Sequence, residues 1–213
     1  MTSSVATPAD LMRAARLVPV LTIPARADAV GLARALVAGG VRMLEITLRT
    51  PAGAAAARLI RDEVPEAIVG LGTVVSVADL ELARELDLRF AFSPGATPAL
   101  LDAARALGVP FVPGVQTASD LMAALERGFD MVKFFPAQSS GGIAHLKSLA
   151  GPFPQVRFCP TGGIGEAQIG DYLALPNVVA VGGSWLVRAG EIEQGDWAAI
   201  TSRARDAMAR IAG

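Results

Sequence analysis

Three ionisable side chains stand in segments that otherwise read as interior. Lys133 lies in Met131-Val132-Lys133-Phe134-Phe135, and Glu45 and Arg49 lie in Leu44-Glu45-Ile46-Thr47-Leu48-Arg49. The chain has only two lysines, Lys133 and Lys147, its other cationic side chains being arginines. An extended segment alternates its side chains, so Lys133 shares a face with Met131 and Phe135, opposite Val132 and Phe134. If Val132 and Phe134 pack against helices, Lys133 points inward, where desolvation disfavours the ammonium and frees a neutral, nucleophilic amine. Such an amine is what Schiff-base chemistry on a ketone requires. The alternative is a lysine kept cationic by a buried carboxylate, because buried charges persist when paired.

Glu45 is the candidate for that carboxylate. Glu45, Thr47 and Arg49 share one face of their strand, and Leu44, Ile46 and Leu48 share the other. A strand buried on both sides should be apolar on both, and one ion pair would not need an acid, a hydroxyl and a guanidinium together. The three supply an acid/base, a polar contact and an anion-binding cation beside the lysine. Burial and a neighbouring carboxylate act on the amine in opposite senses, and the sequence leaves that balance open.

Further along, Thr161-Gly162-Gly163 and Gly182-Gly183-Ser184 end two consecutive strand candidates. Glycines leave backbone N–H groups approachable, and phosphate sites on parallel barrels often use the loops after strands seven and eight. Gly162, Gly163, Gly182, Gly183 and Ser184 are therefore read as an anion cradle. Other strand candidates stop in the same idiom, at Ser93-Pro94-Gly95, Val112-Pro113-Gly114 and Phe135-Pro136-Ala137, where Pro and Gly singly need mean no more than a strand end.

The elements that must position these residues alternate along the chain. Apolar runs at Val18 to Ile23, Met43 to Leu48, Ile68 to Val74, Phe90 to Ser93, Phe111 to Val115, Met131 to Phe135, Val156 to Thr161 and Val178 to Ser184 are separated by Ala/Leu/Arg/Glu segments of helical period. The pattern predicts an α/β chain, a closed (β/α)8 TIM barrel with an extra N-terminal helix, Pro8 to Arg16, covering the N-terminal end of the strands. At 213 residues the chain is read as a single domain spanning 1–213. An open doubly wound sheet is the competing architecture. Eight strands favour closure, and the first βα turn, Ile23-Pro24-Ala25-Arg26, lacks the glycine fingerprint of a dinucleotide site.

Composition removes whole classes of function. Apolar residues make up 52% and charged residues 18%, too much of the first and too little of the second for disorder. Net charge is -1 with no basic tract, so no nucleic acid is expected as a partner. Charges or prolines break every apolar run before spanning length, so no membrane is expected either. The start, MTSSVATPADLMRAARLVPV, carries no export pattern, which makes the cytoplasm the expected compartment. One cysteine, Cys159, and one histidine, His145, leave no disulfide framework and no metal-ligand set. His145, on a helix, is expected at the surface, Cys159 as a core filler and Arg157 as a structural ion-pair partner.

Over essentially its whole length the chain resembles the class I aldolases that cleave 2-keto-3-deoxy-6-phosphogluconate (KDPG) and often also 4-hydroxy-2-oxoglutarate (KHG). The resemblance runs through Ala38-Gly39-Gly40-Val41, Leu44 to Thr50, Gly70-Leu71-Gly72-Thr73-Val74, Phe92-Ser93-Pro94-Gly95, Val132 to Ala137, Arg157 to Gly163 and Val181 to Leu186. It implies that Lys133 forms the Schiff base and Glu45 is the general acid/base. Arg49 and Thr73 would hold the pyruvyl carboxylate, with Pro94, Phe135 and Thr161 lining the substrate, a small keto-acid phosphate. It implies no cofactor and a homotrimer. Two loops depart from the family pattern: Ile23-Pro24-Ala25-Arg26, where basic residues are expected, and Gln138-Ser139-Ser140, where an acidic one is. The same mechanism would serve an aldolase for the galactonate epimer. A barrel isomerase or synthase using Lys133 and Glu45 as a plain ion pair, or a non-catalytic sugar-phosphate binder, is the alternative outside that mechanism.

Overall fold

A computed structural model describes residues 6–24 and 27–212, so Ala25 and Arg26 of the first βα loop lie outside the described residues. The strands are β1 (Leu17–Leu21), β2 (Met43–Thr47), β3 (Ile68–Gly72), β4 (Phe90–Phe92), β5 (Phe111–Val112), β6 (Gly114–Val115), β7 (Met131–Phe134), β8 (Arg157–Pro160) and β9 (Val181–Gly183). Interleaved with them are α1 (Pro8–Ala15), α2 (Ala29–Ala38), α3 (Gly53–Glu63), α4 (Val77–Glu85), α5 (Pro98–Leu107), α6 (Ala118–Leu125), α7 (Gly142–Ala150), α8 (Ile169–Leu173), α9 (Glu191–Gln194) and α10 (Trp197–Ala212). None of these helices is long and apolar enough to cross a membrane.

All the strand pairs are parallel, but they do not close into the expected eight-stranded barrel. One sheet has six strands in the order β5-β4-β3-β2-β1-β9 and is open; a second has three, β6-β7-β8. The physical reason on one side is Pro113. The fifth apolar run is cut there into β5, which pairs with β4, and β6, which pairs with β7. Proline has no N–H to donate, so the ladder cannot continue through it; its carbonyl accepts from Lys133 N at 2.9 Å on the β7 side. On the other side β8 and β9 form no ladder, and only isolated bridges join the chain around them, Phe158 of β8 with Val178 and Thr161 with Gly182 of β9.

Side-chain alternation sorts the core into two clusters. Leu44, Ile46, Val132, Phe134 and Phe158 face the helices in the larger one. Val18, Met43, Phe90, Phe92, Val112, Met131 and Cys159 fill the space between the sheets. As predicted, α1 covers the N-terminal strand ends, sending Met12 into the inner cluster. Thr7 and Asp10 fix its start through a reciprocal capping box. The same device starts α4 (Ser76 with Asp79) and α6 (Thr117 with Asp120), each a few residues beyond a strand. The strands' C-terminal ends are left for the loops that carry the site.

Candidate active site

Lys133 on β7 and Glu45 on β2 meet across the space between the sheets. Lys133 Nζ donates to Glu45 Oε1 at 2.8 Å, with the two side chains only 4% and 0% exposed. The inner cluster closes the space beneath them. The rings of Phe92 and Phe135 lie 4.9 and 5.4 Å from Nζ, giving the amine an apolar and weakly cation-stabilising wall. Glu45 Oε2 is buried with no hydrogen-bond partner among the described residues, which leaves an acceptor oxygen uncommitted beside the amine. Room for the carboxylate comes from β3: a Cβ on Gly72 would fall 2.2 Å from Glu45 Oε1. Gly114, a residue with no side chain, stands opposite Lys133 in the β6–β7 register, with Cys159 on its other side. Burial pushes the Cys159 thiol up to about 12, against the opposing pull of the Lys133 charge, so it stays protonated and unreactive.

Next to the pair, across the ring of Phe135, opens a cavity of about 230 Å³ lined by Arg49, Phe135, Thr161, Gly162, Gly163, Gly183, Ser184 and Trp185, with Val20 and Ile164; Lys133 and Glu45 themselves do not line it. Seven of the residues picked from sequence therefore share one mouth. Thr73 joins them through its hydroxyl, which accepts from Arg49 Nε at 3.2 Å. Its φ of 61 is left-handed, a strained setting for a β-branched residue of the kind that collects at functional sites. Pro94 and Gly182 stand outside the lining. Pro94 packs its backbone where a Cβ on Gly114 would lie, and Gly182 lets Thr161 approach, its Cβ position being 2.2 Å from Thr161 Oγ1. Thr47, on the inward face of β2, bonds instead to Leu21 O at 3.1 Å and Thr22 Oγ1 at 3.0 Å, tying β1 to β2.

The family described as KDPG and KHG aldolase matches residues 9–203. The chain belongs to this aldolase family. A KHG/KDPG aldolase from Escherichia coli (strain K12) is 51% identical over 192 residues, 90% of each chain. Among solved structures, a KDPG aldolase from Legionella pneumophila with pyruvate captured as a covalent carbinolamine intermediate has a TM-score of 0.91 and 42% identity. The match covers 95% of this chain and 98% of that one. A KDPG aldolase from Zymomonas mobilis ZM4 with 3-phosphoglycerate has a TM-score of 0.88 and 48% identity, covering 92% of each.

Several surroundings of this family site were not singled out from sequence. Phe92 is one and Gly72 a second; the inward parity of Gly72 on β3, opposite Thr47 in the register and beside the Glu45 carboxylate, was the signal that could have found it. The Gln138 loop was read from sequence only as a departure from the family pattern, not as a tether. Gln138 N donates to Gly162 O at 3.1 Å, and its side chain accepts from the buried Tyr172 hydroxyl at 2.8 Å, tethering the cradle glycines to α8. Two expectations are corrected. His145 is not at the surface: its ring is half-buried and stacks on Phe134 at 5.5 Å, because α7 lies over the helix-facing side of β7. Arg157 forms no ion pair among the described residues; its Nη1 donates to Pro154 O at 2.9 Å and Val156 O at 3.0 Å.

Proposed function

We propose that the chain cleaves KDPG to pyruvate and glyceraldehyde 3-phosphate through a Schiff base on Lys133, and KHG to pyruvate and glyoxylate by the same route. The observation that carries this reading is the buried Lys133–Glu45 contact, with the ring of Phe135 between it and a glycine-edged mouth. Passing a proton from Nζ to Glu45 along the 2.8 Å contact frees the amine lone pair. The amine adds to the C2 ketone, Glu45 passes its proton to the carbinolamine hydroxyl, and loss of water leaves an iminium that withdraws electrons from C3, with Glu45 again a carboxylate. Glu45 accepts the C4 hydroxyl proton as the C3–C4 bond breaks, the aldehyde departs, and the enamine is protonated at C3 and hydrolysed to pyruvate. The iminium is the electron sink, so the scheme calls on no cofactor.

In this reading Arg49 and Thr73 hold the pyruvyl carboxylate, and Phe135 and Thr161 line the substrate, with Pro94 packed behind them against Gly114. Gly162, Gly163, Gly183 and Ser184 receive the phosphate, while Gly182, outside the lining, makes room for Thr161. Support for the cradle comes from Gly162 and Gly163, whose φ values of 103 and 76 side chains rarely adopt, and from the 3-phosphoglycerate in the Zymomonas relative. We take the whole chain, 1–213, to work as one domain. We place it in the cytoplasm, because a phosphate dianion does not cross a bilayer unaided and must meet its enzyme where it is made. We also take the assembly to be a homotrimer. Leu59 on α3 and Val77 on α4 are 47% and 42% exposed, and an apolar hollow lined by Ala54, Ala55, Leu59, Leu82 and Leu86 lies between those helices.

The test is turnover, read as pyruvate release. Ser184→Ala removes one hydroxyl donor to a charged acceptor, so kcat/KM on KDPG should fall by about 10- to 150-fold. On KHG, which has no phosphate, the same variant should be nearly unchanged. No pyruvate from KDPG with the unaltered chain refutes the reading, and equal losses on both substrates remove Ser184 from the cradle.

A further inference from the structure

Away from the reaction mouth, at the opposite ends of the strands, three arginines converge. Arg13 comes from the last turn of α1, Arg16 is its C-cap just before β1, and Arg157 opens β8. Together with Leu173, Pro176 and Val179 they line a cavity of about 340 Å³. No acidic residue lines it among the described residues. Neither Arg16 nor Arg157 forms an ion pair among the described residues, whereas Arg34, Arg127, Arg203 and Arg210 elsewhere are paired with Glu63, Asp102, Glu191 and Glu166.

Two of the guanidiniums are fixed before any ligand arrives. Arg16 Nη1 donates to Ile211 O at 3.0 Å near the end of α10, and Arg157 Nη1 donates to the two carbonyls described above. Each of these contacts engages Nη1 alone, leaving the Nε and Nη2 donors of the fork. Arg13 has only an exposed contact with Asp10 at 3.6 Å, and Asp10 is already engaged in the capping box with Thr7. The backbone at Arg16 is left-handed, with φ 58, which a non-glycine residue adopts at a cost. Holding three like charges around one hollow is unfavourable until a counter-charge enters it.

We propose that this cavity binds a small polyanion bearing a phosphate group, separate from the substrate site. Guanidinium forks match phosphate oxygens in pairs, and forks already anchored lose little freedom on binding. The proposal does not depend on the aldolase reading, since none of its residues belongs to the reaction mouth.

Inorganic pyrophosphate is the probe. Calorimetric titration of the unaltered chain should reveal a binding event, weakened by added salt, that is lost or reduced by about tenfold or more in Arg13→Gln/Arg157→Gln. KDPG turnover of that variant should stay within about twofold, as no contact to the mouth changes. Arg13→Gln alone, on an exposed helix surface, serves if the double variant fails to fold, and should weaken the same event by about threefold or more. Identical isotherms for the unaltered and substituted chains, or no pyrophosphate binding at millimolar concentration, would overturn the proposal.

Discussion

In the proposed mechanism Lys133 and Glu45 combine two roles that ordinarily conflict. Buried charge is tolerated because the partners neutralise each other, and chemistry is possible because a proton can pass between them. Glu45→Gln keeps an oxygen for Nζ and adds no volume, so the protein should fold and still capture pyruvate, more slowly, the amine losing its proton to water instead. Turnover should fall by about 10² to 10⁴, the usual share of general acid–base catalysis; normal kcat for this variant would reduce Glu45 to a counter-ion. Both residues were legible in sequence because a charge inside an apolar strand needs a reason. Phe92 was not, since an inward phenylalanine at a strand end looks the same whether it walls an amine or only fills space. Nor was the left-handed backbone of Thr73, because no residue type there announced it.

Between strands and helices, α9 and α10 are tied to the loop that follows Ser184, a proposed phosphate ligand. Arg203 on α10 donates to Glu191 on α9 through both Nη atoms, at 2.8 and 2.5 Å, and to Leu186 O at 2.7 Å, two residues beyond Ser184. The hydrogen bonds from Arg203 hold the Glu191 carboxyl below its ordinary value of 4.5. A carboxyl depressed in the folded chain binds its proton more readily in the unfolded one. The resulting stability is present above the ordinary value and is lost as pH falls through the folded value. Thermal unfolding of Glu191→Gln should therefore show a loss of about 1 to 3 kcal/mol at neutral pH that shrinks on acidification. A loss constant down to the acid limb would contradict this role. Elements of this kind were only partly legible. The eight apolar runs and α1 were read correctly in type, but the closure expected of them was not found, because it depended on whether Pro113 and the β8–β9 junction could carry a ladder. The tether from Tyr172 through Gln138 to Gly162 spans parts of the chain that no local pattern connects.

As a whole molecule the chain leaves an apolar hollow on α3 and α4 beside exposed Leu59, a surface suited to burial between subunits. Light scattering should return three times the chain mass, and Leu59→Asp should shift it toward the monomer. A monomer from the unaltered chain at working concentration would remove the trimer. Parallel strands carry every reactive group to one end and leave the arginine cavity at the other, so a ligand at either site need not obstruct the other.

The covalent role of Lys133 is the centre of the account, and borohydride reduction in the presence of pyruvate, followed by peptide mass mapping, addresses it directly. The expected result is one pyruvate-derived adduct per chain, on Lys133, with activity lost in proportion. An adduct on Lys147, or active protein that acquires none, would contradict the Schiff base and leave the buried pair as a non-covalent device.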